Sequence, residues 1–113
     1  MNVELLHIAK CPNTQGARCL LRNTLQELGL PAEIREIEVT DTSQAETLRF
    51  PGSPTIRIDG IDVEAASPRQ ESYGVSCRTY LIDGRLRGLP TKQMVRSAIW
   101  SAVVCTRIEA KRS

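Results

Sequence analysis

The chain has 113 residues and a formal net charge of +2, from 15 basic and 13 acidic side chains. This length predicts one domain with a single hydrophobic core over residues 1–113. Acids and bases are interleaved, which argues against a nucleic-acid partner. No apolar run is long enough to span a bilayer, and the N-terminus lacks the layout of a secretory signal. We therefore expect a cytoplasmic protein with no membrane partner.

The four cysteines are Cys11, Cys19, Cys77 and Cys105. A chain of this size with ordinary apolar content needs no disulfide scaffold, and nothing in the sequence points to an oxidising compartment. We therefore expect free thiols. No two cysteines form a Cys-x-x-Cys pair and His7 is the only histidine, which argues against a zinc site. The sequence predicts neither a bound metal nor a cofactor.

Cys11 is the leading candidate for chemistry, because an apolar strand pattern at residues 3–9 changes there to a helical pattern. Pro12 fits the first turn of a helix, where its missing N–H would be unpaired anyway. Cys11 is then the predicted N-cap, and free backbone N–H groups, the helix dipole and Lys10 would all favour its thiolate. Such a thiol is acidic and reactive. The alternative is that Cys11 fills a strand-to-helix corner as a small apolar residue.

Helices and strands alternate along the first half of the chain. After the first strand, an apolar face predicts a helix over residues 12–28, and residues 32–39 form the second predicted strand. Asp41 and Gln44 have capping-box spacing, which predicts a short second helix. The apolar face of the first helix consists of Ala17, Leu20, Leu21, Thr24, Leu25 and Leu28.

Two Asp-Gly pairs predict hairpins in the second half. One lies between strands at residues 55–58 and 61–63, and the other between residues 77–82 and 85–88. Residues 65–74 are polar and without a period, which predicts a loop.

A last helix is predicted to begin after Pro90. Its apolar face consists of Met94, Val95, Ala98, Ile99, Ala102, Cys105 and Thr106, and this places Cys105 among buried residues. Trp100, Val104 and Ile108 point off that face. They indicate either a frayed apolar tail or the contact surface of a homodimer.

The order of strand, Cys-Pro-x-Thr, helix, Ser-Pro-Thr, hairpin and closing helix resembles the thioredoxin-like superfamily, and glutaredoxins most closely. The resemblance implies an α/β fold of order β-α-β-α-β-β-α, with a four-stranded mixed sheet between helices and an insertion at residues 65–90. It also implies a cis Ser53–Pro54 bond beside Cys11, whose neighbouring N–H and C=O groups are free to pair with an extended substrate. The substrate-binding residues that it implies are Pro12, Thr14, Ser53, Pro54 and Thr55.

The chain departs from the dithiol members at Thr14, where those proteins carry a second cysteine. It resembles instead the single-thiol variant, which works through a mixed disulfide with glutathione or coordinates an iron-sulfur cluster. It is also similar to small bacterial thioredoxin-family proteins, sometimes labelled after alkylmercury lyase, at residues 11–13, 52–60 and 74–80. The last of these matches contains Cys77, the only thiol outside both long helices, and makes it the candidate resolving partner of Cys11.

Three functions are compatible with these residues. The first is a thiol-disulfide oxidoreductase in which Cys11 attacks a disulfide of a protein or a low-molecular-weight thiol compound and Cys77 resolves the mixed disulfide. The second is a soft-metal binder of a resistance system, in which two thiolates hold mercury, copper or arsenite. The third is an interaction domain that has the fold without the chemistry.

Overall fold

A computed structural model describes residues 1–64 and 73–112, with side chains described up to residue 105. Most of the predicted loop at residues 65–74 therefore lies outside the described residues. In chain order the elements are β1 (Val3–His7), α1 (Thr14–Glu27), β2 (Ile34–Glu38), α2 (Thr42–Thr47), β3 (Thr55–Ile58), β4 (Ile61–Asp62), β5 (Tyr80–Ile82), β6 (Arg85–Arg87) and α3 (Lys92–Arg112).

The main sheet has four strands in the order β2-β1-β3-β4. β1 runs parallel to β2, with Val3 opposite Ile34, and antiparallel to β3, with Val3 opposite Ile58. β4 returns antiparallel to β3. The predicted α/β class and the four-stranded mixed sheet are confirmed. β5 and β6 form a separate two-stranded sheet, which lies within the region predicted as an insertion.

Helices pack on both faces of this sheet. Because successive strand side chains point to opposite faces, β1 directs Val3 and Leu5 to one side and Leu6 to the other. The first side forms a core with α1 and α3, and the second packs against α2 and the chain that follows it. The fully buried residues of the first core are Val3, Leu5, Ala17, Leu21, Leu25, Ile56, Ile58, Val95 and Ile99, and those of the second are Leu6, Val39, Ala45 and Phe50.

The start of α1 differs from the prediction by two residues. Asn13, not Cys11, is the N-cap, because the Asn13 carbonyl accepts the first helical bond, from Ala17 N at 3.0 Å. The Cys11 carbonyl accepts only a turn-type bond, from Thr14 N at 3.4 Å. Cys11 and Pro12 therefore lie in a turn that precedes the helix, and the N-cap prediction for Cys11 was wrong.

Local turn and cap chemistry accounts for the other boundaries. Asp41 caps α2 as predicted, since its carboxylate accepts a bond from Gln44 N at 2.7 Å. Both Asp-Gly hairpins form, and each has two successive residues of positive φ, as a two-residue type I′ turn requires. The second hairpin is shorter than predicted, because the strand at 77–82 begins only at Tyr80.

The apolar face of α3 is buried as predicted at Val95 and Ile99, but Cys105 is exposed and its predicted burial was wrong. The reason is its position near the end of the helix, beyond the last fully buried side chain. Trp100 and Val104 are exposed, as predicted. The side chains of Thr106 and Ile108 lie outside the described residues. In residues 1–64 and 73–112 no helix is both long and apolar enough to cross a membrane.

Replacing Leu21 by alanine tests the packing of α1 on the sheet. Leu21 is completely buried in the first core, so Leu21→Ala should lower the free energy of unfolding by about 2–5 kcal/mol through lost burial and a cavity. Urea titration followed by circular dichroism measures the loss. Asn23→Ala, on the exposed side of the same helix, should change stability by less than about 0.5 kcal/mol. Equal effects of the two substitutions would contradict the observed helix face.

Candidate functional site

Cys11 lies in a sharp turn between the end of β1 and the start of α1. The residue before it, Lys10, has a φ of 61°, a left-handed conformation that residues other than glycine rarely adopt. On the far side of the turn, a side chain at Gly88 would collide with the Asn13 amide, so the chain after β6 packs directly on the helix start. Cys11 itself is half-buried and carries a free thiol. The turn is thus bounded by a left-handed residue, Lys10, before Cys11 and by the packing of Gly88 against Asn13 after it.

Two hydroxyl groups flank the Cys11 sulfur. Ser53 is fully buried, and its Oγ accepts a hydrogen bond from the backbone N–H of Ile8 at 3.2 Å. Because that bond uses a lone pair, the Ser53 hydroxyl proton is left for the sulfur. Thr14 Oγ1 is also buried and makes no hydrogen bond with the described residues. Its hydroxyl can donate to Cys11 when that thiol ionises, which favours the thiolate.

These groups make the Cys11 thiol acidic. Partial burial alone would raise its pKa, but hydrogen bonds from the Ser53 and Thr14 hydroxyls and from the backbone N–H groups of Asn13 and Thr14 outweigh that effect and lower the pKa. The direction agrees with the expected one, and backbone N–H groups contribute to it. The contribution of the Ser53 hydroxyl was not foreseen, because Ser53 is distant from Cys11 in sequence.

The loop at residues 50–55 carries the other predicted site residues. The Ser53–Pro54 bond is cis, as the resemblance implied. Thr55 is fully buried, and its hydroxyl donates to Gly52 O at 2.6 Å. The Pro54 carbonyl accepts a bond from Tyr80 Oη at 2.6 Å. The polar groups of this loop are therefore bonded within the protein, whereas Pro12, across the turn, is exposed.

A segment at residues 74–78 runs along the 50–55 loop and bonds to its backbone. Gly74 N donates to Phe50 O at 3.2 Å, Ser53 N donates to Ser76 O at 2.8 Å, and Arg78 N donates to Ser53 O at 3.0 Å. The last two bonds form a parallel bridge between Ser53 and Cys77. The expectation that the backbone groups beside Pro54 are free to pair with a substrate was wrong for Ser53, because this segment already occupies both.

The bridge brings Cys77 to the site. Neighbouring strands are spaced about 5 Å apart, so the Cys77 backbone lies about that far from Ser53, whose side chain contacts Cys11. Cys77 is exposed and its thiol is free. Cys11 and Cys77 thus both neighbour Ser53, whereas Cys19 and Cys105 are exposed on α1 and α3. A Cys11–Cys77 disulfide stays a prediction.

Arg78 anchors this segment through an ion-pair cluster that sequence reasoning missed. The residue is 6% exposed, with Nη1 at 2.7 Å from Asp62 Oδ2 and Nη2 at 3.2 Å from Glu64 Oε1. Its guanidinium lies 4.0 Å from the centroid of the Tyr80 ring. Burial opposes the charge, but Tyr80, Asp62 and Glu64 outweigh it and raise the pKa of Arg78. The sequence signal for this cluster was a pair of acidic residues at the end of the first hairpin, Asp62 and Glu64, and an arginine two residues before a tyrosine, Arg78 and Tyr80.

A metal site of several protein ligands does not form in the described residues, where no three His, Cys, Asp or Glu side chains are grouped closely enough to hold an ion. The two thiols Cys11 and Cys77 are the only sulfur pair that the 50–55 loop brings together in the described part of the chain. No protein-family model, curated protein or solved structure matches this chain.

Removing either hydroxyl should raise the pKa of Cys11. The thiolate is the form that reacts, so alkylation of Cys11 should begin at a lower pH than for an ordinary cysteine. Ser53→Ala and Thr14→Val each remove one hydrogen bond to the thiolate and should shift the alkylation midpoint to higher pH, and the double variant should shift it further. Trypsin cleavage at Lys10 and Arg18 separates Cys11 from Cys19, so mass spectrometry can follow Cys11 alone.

Ser43→Ala, a matched change on the exposed side of α2, should leave the Cys11 midpoint where it is. Cys11→Ser should remove the labelled peptide altogether. An unchanged midpoint in both Ser53→Ala and Thr14→Val would contradict the assigned hydrogen bonds.

Gly52 should be intolerant of any side chain. A Cβ added there would lie 2.7 Å from Arg78 Cβ and 2.9 Å from Arg78 N, and its φ of 141° strains any other residue. Gly52→Ala should therefore cost about 2–4 kcal/mol of unfolding free energy. Gly74→Ala is the control, since an added Cβ meets nothing within 4 Å, and it should cost less than about 0.5 kcal/mol. Similar losses would mean that residues 74–78 do not pack against the loop.

Proposed function

We propose that this chain is a thiol-disulfide oxidoreductase of thioredoxin type, with Cys11 as its nucleophile. The observation that carries the proposal is the placement of Cys11 after the end of β1, beside the cis Ser53–Pro54 bond that precedes the antiparallel strand β3. The Ser53 and Thr14 hydroxyls are buried there, and together with backbone N–H groups they lower the pKa of Cys11. A structural cysteine in a corner gains nothing from four hydrogen-bond donors. A nucleophile does, because thiol-disulfide exchange proceeds only through the thiolate.

The sheet supports the thioredoxin-type assignment. The resemblance implies a four-stranded mixed sheet with a hairpin after the Ser-Pro-Thr loop, and the sheet of order β2-β1-β3-β4 has a parallel β1–β2 pair and an antiparallel β3–β4 hairpin in keeping with it. The cysteine follows the end of β1 and the cis proline directly precedes β3, and because these two central strands are antiparallel, both residues lie at the same end of the sheet. The two-stranded β5–β6 sheet is an addition to that plan.

The reaction proceeds in two exchanges. The Cys11 thiolate attacks one sulfur of a substrate disulfide, forms a mixed disulfide and releases the other sulfur as a thiolate. The Cys77 thiolate then attacks the Cys11 sulfur, forms a Cys11–Cys77 disulfide and releases the second substrate thiolate. The substrate is reduced by two electrons and the protein is oxidised by two. A dithiol, or two molecules of a monothiol, then reduces the Cys11–Cys77 disulfide through a second mixed disulfide and is itself oxidised to a disulfide, which regenerates the two protein thiols.

Ser53 supports both exchanges. Its hydroxyl proton stabilises the Cys11 thiolate before the attack and again when Cys11 leaves as a thiolate during regeneration. Its backbone carries the bridge to Cys77, so the same residue sets the distance from the nucleophile to the resolving thiol. Thr14 supplies a hydroxyl at the position where the dithiol members of the resembled family carry their second cysteine.

The nucleophile can be tested by replacement. Release of the aromatic thiolate from a small aromatic disulfide by the reduced protein, with no other thiol present, should lose its fast phase in Cys11→Ser, because that phase depends on the lowered pKa of Cys11. Cys77→Ser should retain the first attack and accumulate the Cys11 mixed disulfide, detected as added mass on the peptide of residues 11–18. Cys19→Ser and Cys105→Ser are the controls and should behave as the parent chain.

Mild oxidation tests the pairing of the two thiols. Peptide mapping should reveal a Cys11–Cys77 crosslink within one chain, because the bridge to Ser53 holds Cys77 beside the site. Intermolecular disulfides alone would remove Cys77 from the mechanism. If Cys11 also reacts no faster than an unfolded reference peptide, the fold serves as an interaction domain. Tight binding of one Hg(II) that requires both thiols, without disulfide turnover, would favour the soft-metal function.

A further inference from the structure

We propose that residues 74–78 occupy this protein's own peptide-docking edge, and that Arg78 sets substrate specificity by holding them there. The consequence is that Cys11 reacts with small disulfides and excludes extended polypeptides. This inference rests on the proposed function of Cys11 and names the class of disulfide that reaches it. It starts from the bonds that residues 74–78 make to the 50–55 loop.

An extended peptide docks on a sheet edge by pairing with backbone groups that lack partners. Beside Cys11 the nearest such groups are those of Ser53, and both are in use: its N–H by Ser76 O at 2.8 Å and its C=O by Arg78 N at 3.0 Å. Tyr80 Oη takes the Pro54 carbonyl and Thr55 Oγ1 takes that of Gly52. These four backbone groups at residues 52–54 already have partners in the described part of the chain, and the two of Ser53 become available to a polypeptide only if residues 76–78 move away.

Arg78 is what keeps residues 76–78 in place. Two backbone bonds to Ser53 are weak anchors by themselves, because on unbinding each group exchanges its protein partner for water. The Arg78 side chain adds a buried ion pair to Asp62, a second to Glu64 and a bond to Thr55 Oγ1 at 3.2 Å. Moving the segment away would break these buried pairs, which is far more costly than breaking exposed ones.

A small disulfide does not need this edge. Cys11 is half-buried rather than enclosed, and the turn before α1 presents the exposed residues Lys10 and Pro12. A compact molecule can therefore reach the sulfur from the turn without displacing residues 76–78. The protein should therefore distinguish small disulfides from those in extended polypeptides by the length of the attached backbone, and not by the chemistry of the disulfide bond.

The test compares two disulfides with one leaving group. Both carry a nitrobenzoate thiolate, whose release is followed by absorbance: one is attached to N-acetylcysteine amide and the other to the cysteine of an extended peptide. The protein carries serine in place of Cys19, Cys77 and Cys105, three exposed positions, so that only Cys11 reacts. The chain with Arg78 intact should react with the small compound and much more slowly with the peptide.

Arg78→Lys keeps a positive charge and loses the paired contacts with both carboxylates. The peptide rate should rise at least about tenfold, the change expected when the segment is held by about 1.4 kcal/mol less. The small-disulfide rate should stay within about twofold, because Arg78 does not contact Cys11. Arg85→Lys, the same substitution on exposed β6, should alter neither rate. A peptide N-methylated at alternate residues cannot pair along an edge and should gain nothing from Arg78→Lys.

The outcomes separate the two proposals. If Cys11 reacts with both compounds equally in the parent chain, or if Arg78→Lys leaves the peptide rate unchanged in a folded protein, the specificity role of Arg78 is wrong and the nucleophile stands. If Cys11 reacts with neither compound, the proposed function itself fails. Should Arg78→Lys not fold, Glu64→Gln removes one carboxylate and leaves the Asp62 pair, and the same rise in the peptide rate, or its absence, decides the question.

Discussion

The buried pairing of Arg78 with Asp62 and Glu64 is the interaction on which the site depends. A charged guanidinium at 6% exposure is costly unless carboxylates compensate it, and here two carboxylates and an aromatic ring surround it. Asp62 is the last residue of β4, Glu64 lies just beyond it, and Arg78 precedes β5. The cluster therefore joins the main sheet to the chain that carries Cys77, and it does so at the 50–55 loop.

Ser53 connects the Arg78 cluster to Cys11. Its backbone is bonded on one side to the segment that Arg78 holds, and its hydroxyl faces Cys11 on the other. The close approach of Arg78 is possible only because residue 52 is glycine. The hydroxyl is held separately, because its Oγ accepts a hydrogen bond from the Ile8 N–H, so a displacement of the segment frees the Ser53 backbone and leaves the hydroxyl beside Cys11. Ser53 thus bonds to the segment with its backbone and to the thiolate with its side chain.

The sequence was sufficient where the signals were local. Apolar spacing in α1, the Asp41 cap and the two Asp-Gly turns were all predicted, and each depends on residues within a few positions of one another. The N-cap of α1 was misplaced because proline fits equally well in the turn before a helix. Contacts between Ser53 and Cys11, or between Arg78 and Asp62, depend on how strands are ordered, and a single sequence carries no periodicity that reports them. The exposure of Cys105 was missed for a related reason. The apolar face of a helix does not show how many of its turns are covered by the sheet, and α3 extends beyond its last fully buried residue, Ile99.

Because residue 14 is a threonine and not a cysteine, the proposed exchange needs its second thiol from another part of the fold. With no sulfur one helical turn away, a resolving cysteine must come from a segment held close to Cys11, and the 74–78 segment is held close by the Arg78 cluster. The same attachment closes the backbone edge that a polypeptide would use. In the proposed mechanism, the resolving role of Cys77 and the restriction to small disulfides both follow from one placement, because the residues that bring Cys77 to Ser53 are those that occupy the N–H and C=O of Ser53.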